Sequence, residues 1–423
     1  MAHYDWKIGE DLPELGAHSV AKHRILQRYL DRYIDICAVT PVQEKLKLTI
    51  VDGFAGGGRY SFRGDELPGS PIILMRTIAA AQERLNAARP KGFRIETRFV
   101  FIDDNKHHTD FLMAEIEQSE FSGLLGNAVT VLTCKFSQAV DALIRDAKNH
   151  TRKGRSLFIL DQYGWSDVMF SDVRKILANL PKAEVFMNFA VDSLIDYLSD
   201  KTAGSQAHRN IDLSPAQISE LVQHRTREKA WRAIIQNELY EHIQRWTGAQ
   251  YYSPFFVRSP KSGRSYWLLH LSRHREARNL IGEIHWDESN VSTHHGRPGL
   301  GSLGFSPNMS PEQLPLDFNF DEMALERSMT TLEDQIPSYV RTAVSNGRMT
   351  SLNEVFGNEC NDTPVTSPII QKALVKLRDE KELKIISKDG KEKPRAQRLD
   401  WADRVVLPPQ RTLFGPFGHL PKK

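Results

Sequence analysis

Apolar residues follow two rhythms along this chain. Between His18 and Ile36 they return at steps of three and four, with Ile25, Tyr29 and Tyr33 on one stripe, which is the spacing of a helix with one buried face. Short apolar runs then recur at Leu48 to Val51, Thr97 to Ile102, Val129 to Thr133, Leu157 to Leu160 and Glu184 to Phe189, with helical spacing between successive runs. Strands buried on both faces and separated by helices predict a doubly wound α/β sheet. From Asp200 to Thr247 the strand signals stop. There Ser214-Pro215-Ala216-Gln217 supplies the cap, first-turn proline and third-position glutamine of a helix start, so a helical insertion is expected at about 200–250. Strand runs at Tyr252 to Val257 and Tyr266 to Leu271 are expected to complete the sheet.

The rhythm then breaks. Ser289 to Phe318 is rich in Gly, Ser and Pro without periodicity and reads as a linker or mobile loop. Its His294-His295 pair is too isolated to indicate a metal site. Beyond it come a short helix in SLNEVF, a longer one in SPIIQKALVKLRDEKEL, and two strands turned at Asp389-Gly390, the order of a winged helix-turn-helix. The expected organisation is a sheet domain over 1–287, a linker over 288–319, a winged helix over 320–405 and a tail over 406–423.

Bulk properties narrow the class. A chain of 423 residues is long enough for one large domain and a smaller one. The formal net charge of +3 is near balance, so any nucleic-acid affinity has to come from local patches. One such patch runs from Lys372 to Arg398, with ten Lys or Arg against five Asp or Glu, and Lys372, Lys376, Arg378, Lys388 and Lys391 are its candidate phosphate contacts. A protein-docking or dimerisation role suits the same module. Cys37, Cys134 and Cys360 lie far apart, which gives neither a disulfide framework nor a zinc pair and favours a reducing, cytoplasmic setting. No run has the roughly 18 uncharged apolar residues of a membrane span, and the start MAHYDWKIGEDLPEL has no apolar stretch of signal-peptide length.

The chemistry concentrates at the ends of the predicted strands. In TIVDGFAGGGRY a buried strand runs straight into glycines, which accept positive φ and let the backbone approach a ligand where a Cβ would collide. No Lys-Ser or Lys-Thr follows, so this is not a Walker loop, and an insertion carrying Arg59, Arg63 and Asp65 separates it from the next helix, unlike a dinucleotide fingerprint. The run Asp52, Phe54, Gly56 and Gly58 resembles the first motif of S-adenosylmethionine-dependent methyltransferases acting on nucleic-acid bases. Asp52, Gly53, Phe54, Gly56 and Gly58 are therefore candidate cofactor contacts, with Asp52 as acceptor for the ammonium.

Asp103, at the end of the second long strand, is placed to accept from both ribose hydroxyls of a bound nucleoside. Asp104 stands behind it, and either acid would also suit a helix cap. Cys134 or Phe136, after the next strand, could flank an adenine ring. Asp161-Gln162-Tyr163-Gly164 follows the strand SLFIL and resembles the Asp-Pro-Pro-Tyr motif of amino-methyltransferases and, more closely, the Asp-Pro-Phe-Gly form of enzymes that methylate a guanine amine. In those enzymes the acid and the next carbonyl accept from the target amine while the aromatic ring stacks on the base. Gln162 stands where proline is usual, which removes a source of rigidity. Lys22 and His23, ahead of the first strand, are further basic candidates.

Taken together, AKHRILQRYL, VDGFAGGGRY, GSPIILM, FIDDN, LDQYG and LLHLSRH resemble the three-Cys-motif partner proteins, methyltransferase-like proteins of bacteria and phages, over roughly Lys22 to His285. The resemblance implies a class I methyltransferase-like, Rossmann-like sheet with a winged helix, working with a partner protein on DNA or RNA. The family's name refers to the cysteines of that neighbour. Base methylation with S-adenosylmethionine is the expectation this supports. The alternatives are a non-methylating nucleic-acid-binding partner that positions another enzyme, and another group transfer onto a modified base.

Overall fold

The structure is a computed structural model and describes residues 4–40, 42–151, 153–227, 231–258, 265–288, 293–295, 317–348, 350–357, 361, 363–393 and 399–408. Most of the expected linker (289–292 and 296–316), the end of the basic stretch (394–398) and the tail from 409 lie outside the described residues. The chain forms two compact units that meet in sequence at Asp321 and Glu322. Among the described residues no helix is long and apolar enough to cross a membrane.

In chain order the first unit holds α1 (Ala17–Cys37), β1 (Lys45–Asp52), β2 (Arg59–Phe62), β3 (Asp65–Pro68), α2 (Ser70–Ala87), β4 (Arg94–Asp103), α3 (Lys106–Glu117), β5 (Val129–Thr133) and α4 (Phe136–His150). It continues through β6 (Ser156–Leu160), α5 (Phe170–Asn179), β7 (Ala183–Phe189), α6 (Val191–Tyr197), α7 (Gln206–Asn210), α8 (Pro215–Arg227), α9 (Trp231–Thr247), β8 (Tyr251–Arg258), β9 (Ser265–Ser272) and α10 (Arg275–Asp287). Two short strands, β10 (Thr293–His295) and β11 (Asp317–Asn319), pair antiparallel where the composition reads as a linker.

Seven strands make one sheet in the order β5-β4-β1-β6-β7-β9-β8. The first five are parallel, and β9 runs antiparallel between β7 and β8. This is a doubly wound, Rossmann-like sheet of the class I methyltransferase type. Every residue of β6 and β7 is buried, as expected for central strands covered on both faces. Alternate side chains Val51, Val100, Ile102, Phe158, Leu160, Val185 and Met187 share one core with α4, α5 and α9, as the period of two requires. The stripe of α1 is buried at Ile25, Tyr29 and Tyr33, and also at Leu26, Leu30 and Ile34.

Local signals act as their chemistry predicts. Ser214 Oγ accepts from Gln217 N (3.3 Å) and Gln217 Oε1 accepts from Ser214 N (3.0 Å), the reciprocal cap that starts α8. The insertion after the glycine stretch is a hairpin, β2 with β3, turned at Arg63 (φ 55°) and Gly64 (φ 91°), the two positive values a tight turn of this hand needs. Its ends close on each other, since Gly69 N donates to Gly58 O at 2.7 Å. The start of α2 therefore stands beside the glycine loop despite the intervening residues.

The second unit comprises α11 (Glu322–Ser345), β12 (Thr350–Ser351), α12 (Leu352–Gly357), α13 (Ser367–Asp379), β13 (Lys384–Ile386) and β14 (Arg404–Val406). Its sheet, β12-β14-β13, has three strands where two were expected, because Arg404–Val406 returns to pair with both neighbours. The turn at Asp389-Gly390 is present, with Gly390 at φ 83° and Ser387 N donating to Lys391 O at 2.8 Å.

Candidate functional site

The parallel register brings the ends of β1, β4 and β6 to one edge of the sheet. Asp52 pairs with Phe101 on one side and Ile159 on the other, so Asp52, Asp103 and Asp161 all emerge at the carboxyl edge, where ligands collect in open α/β sheets. The glycine loop is tied down at both flanks, with Gly53 N donating to Ile159 O and Ala55 N to Ile102 O, each at 2.8 Å. Gly56 and Gly58 take positive φ (58° and 83°).

Asp52 is fully buried. Its Oδ1 accepts from Phe54 N at 3.1 Å, while Oδ2 is buried without a well-formed hydrogen bond, although the Ser70 hydroxyl is close enough to act on the carboxyl. Burial pushes its pKa up to about 7, against the pull of the Ser70 side chain and the Phe54 N–H, and with the charges of Asp161 and Asp103 adding to the rise. Asp103 is bonded through both oxygens by its own chain. Its Oδ2 accepts from Gly56 N at 3.1 Å, and its Oδ1 accepts from Asn105 N at 2.9 Å and meets His108 Nδ1 at 3.0 Å. Asp104 is exposed, and the cap of α3 is Asn105, whose side chain accepts from His107 N.

The neighbour that requires glycine here is a residue the sequence did not single out. A Cβ on Gly56 would lie 2.7 Å from Trp6 Cη2, and one on Gly57 would come closer still. Trp6 is buried, donates from Nε1 to Arg59 O at 2.6 Å, and packs edge-on against Tyr60 (5.1 Å) and His108 (4.9 Å). Asp5 reaches His108 Nε2 at 3.4 Å. Burial works to lower the His108 pKa, but its contacts with Asp103 and Asp5 outweigh that and leave it raised. The alternation of Tyr4, Trp6 and Ile8 with polar residues in HYDWKIG was the available clue to this segment.

The other candidates on this edge fall into two settings. A Cβ on Gly53 would stand 2.8 Å from Phe136, which opens α4 and is buried in the main core. Phe54 and Cys134 are partly exposed, and both pack against that core. Desolvation raises the Cys134 thiol.

At the end of β6, Asp161 is held by Lys22 of α1, whose Nζ lies 2.5 Å from Oδ1 and 2.8 Å from Oδ2. Partly exposed His23 sits on the same helix, with its pKa pushed down to about 4 by desolvation, which Asp161 opposes. Gln162 is fully buried and braces the loop. Its Oε1 accepts from Asp167 N (2.9 Å) and Val168 N (3.0 Å), its Nε2 donates to Asn188 O (3.0 Å), and its own carbonyl accepts from Asn188 Nδ2 (2.9 Å). Hydrogen bonds thus supply the stiffness that a proline ring would otherwise give. Tyr163 is 41% exposed and Tyr197, at the end of α6, is 44% exposed. Both rings are open to solvent. Buried Trp165 adjoins Tyr197 at 5.7 Å, and an added Cβ at Gly164 would meet open space.

In the second unit Lys372, Lys388 and Lys391 are exposed. Lys376 is held by Glu333 of α11, 2.7 Å from each carboxylate oxygen, and Arg378 is buried, with Nε on Asp379 at 3.3 Å. The predicted basic set is therefore split between open cations and cations already paired or enclosed.

Comparison with known proteins gives one family match, to the GMT-like wHTH domain over residues 304–390. No curated protein matches the chain. Among solved structures the chain is similar to a candidate O-methyltransferase from Klebsiella pneumoniae (8% identity, 61% of this chain, 88% of that one, TM-score 0.29). It is also similar to loganic acid methyltransferase solved with SAH (10% identity, 66% and 84%, TM-score 0.26). A third is geranyl diphosphate C-methyltransferase from Streptomyces coelicolor, solved with Mg2+, geranyl diphosphate and S-adenosyl-L-homocysteine (10% identity, 65% and 92%, TM-score 0.23). The fold rests on the strand order itself. The C-terminal unit is a winged helix, on its own topology and on the family match.

Proposed function

We propose that the first unit binds S-adenosylmethionine and methylates an exocyclic amine of a nucleic-acid base, with the winged helix contributing nucleic-acid affinity and a protein partner of the three-Cys-motif kind. The observation that carries this reading is the Asp161-Gln162-Tyr163-Gly164 loop at the carboxyl end of β6, with an acid and an exposed ring side by side, next to the strand-end acids Asp52 and Asp103. The buried Asp52 Oδ2, without a well-formed hydrogen bond, suits the cofactor's ammonium, which would supply a donor. Bound there, the cofactor supplies an electrophilic methyl group on a positively charged sulfur.

The chain's own part is positional. Asp161 would accept an N–H of the target amine and so orient the nitrogen lone pair for methyl transfer, and Asp161 or water would take the proton the amine releases. Tyr163 stacks on the extruded base.

A second reading, a non-methylating nucleic-acid-binding partner, draws on Asp103, whose two oxygens already bond to the chain, and on Trp6 against Gly56. Calorimetric titration with S-adenosylmethionine, followed by mass analysis of nucleic acid incubated with both, separates the two. Asp161→Ala is expected to cut turnover with cofactor affinity near wild type, and Tyr163→Ala to weaken base capture by about 1–3 kcal/mol. Absence of cofactor binding would move the weight to the second reading.

A further inference from the structure

We propose that Lys22 is the positioning residue for Asp161, so that α1 supplies part of the methyl-acceptor site; this rests on the reading of Asp161 given above. Lys22 Nζ bridges both carboxylate oxygens, at 2.5 and 2.8 Å, from a side chain only 10% exposed. An ionised carboxylate has about four lone-pair sites, and an ammonium chelated between the two oxygens takes one on each. The outer sites stay free for an incoming N–H, on a carboxyl group that no longer rotates.

The pairing is specific to this place. Lysine is almost never enclosed to this degree without a partner, and the acid it meets lies 139 residues away at a strand end followed by the exposed Tyr163. The helix that carries it is fixed by its buried stripe, Ile25, Leu26, Tyr29 and Leu30, so the ammonium arrives from a rigid element. Other charged or titratable groups near Asp161 include His18 and His23 of α1, Asp52 of β1 and Tyr60 of β2. Lys22 is the cation that the structure sets directly on the carboxylate. A purely structural brace at a half-open site would contribute little, whereas a misplaced acceptor carboxylate would be felt in the chemical step.

The test is a double-mutant cycle on the full chain with S-adenosylmethionine and a mixed-sequence single-stranded oligonucleotide as methyl acceptor. Lys22→Met is expected to lower kcat about 100-fold, with KM for nucleic acid and cofactor Kd within about twofold. Lys22→Arg, which keeps a cation, should recover part of the loss. In an Asp161→Asn background Lys22→Met should cost nearly nothing more, because the residue acts through Asp161. An unchanged kcat in Lys22→Met, or a loss of equal size in both backgrounds, overturns the proposal. If the wild type methylates nothing, the reading of the reaction fails separately, and the same cycle is run on affinity for a single-stranded oligonucleotide. Equal, non-additive losses there keep the pairing role. Unchanged affinity, or no binding by the wild type, overturns it.

Discussion

Gln162 and Asn188 exchange hydrogen bonds across the ends of β6 and β7, amide to carbonyl in each direction, at 3.0 and 2.9 Å. Both side chains are buried, so losing one partner strands polar groups of the other. Asn188→Ala should cost about 1–3 kcal/mol, read by urea unfolding, and should loosen the loop that carries Tyr163. Turnover would fall with stability. A cost near zero would mean that the exchange does not brace the loop.

Asp52 should make stability depend on pH. Its folded pKa of about 7 exceeds the ordinary 3.8, so between these values the folded protein keeps a proton that the unfolded chain has lost. Stability is therefore expected to fall as pH rises across that window, by a few kcal/mol in all (about 1.4 per pH unit), and to level off above it. Asp52→Asn should flatten this slope in denaturation curves taken from pH 4 to 8. If the cofactor's ammonium binds there, its affinity should rise as pH passes about 7.

Trp6 reports on the glycine loop. Gly57→Ala sets a methyl group into the Trp6 ring, so the ring must move, and a red-shifted tryptophan emission is expected together with a stability loss of up to about 1–3 kcal/mol. Gly92→Ala is the control, because an added Cβ there meets nothing within 4 Å. Indistinguishable spectra for the two variants would show that the segment does not rest on the loop in solution.

The basic residues of the winged helix should separate by their surroundings. Lys388→Gln with Lys391→Gln should weaken nucleic-acid binding and reduce the salt slope by roughly 2, at about 0.9 per phosphate. Lys376→Gln should do less, since Glu333 already neutralises that ammonium. Arg378→Ala should act on folding more than on binding, because the side chain is buried. A uniform response across these variants would argue for a different surface.

The local signals were legible because they act over a few residues. Short apolar runs marked β1, β4, β5, β6 and β7, the stripe of α1 marked its buried face, and Ser214 with Gln217 marked the start of α8. Strand–helix alternation then limited the fold to a doubly wound sheet, because parallel strands need crossovers. The antiparallel placing of β9 between β7 and β8, and the return of β14 to make a third strand of the wing, carry no local signature. Strand neighbours are chosen by packing across the whole unit.

At the site, sequence could set Asp52, Asp103 and Asp161 at strand ends but could not tell what each would meet. Which acid finds a cation, which is satisfied by backbone, and which keeps an oxygen without a well-formed hydrogen bond depends on segments far away in the chain. Lys22 comes from 139 residues before Asp161, and Gly56 lies 47 before Asp103. Trp6 approaches the glycine loop from the chain's first described residues. The glycines show the division plainly. Their positive φ follows from a tight turn that the sequence announces, whereas the identity of the group filling the space beyond their Cα atoms is decided only when Trp6 and Leu112 pack there.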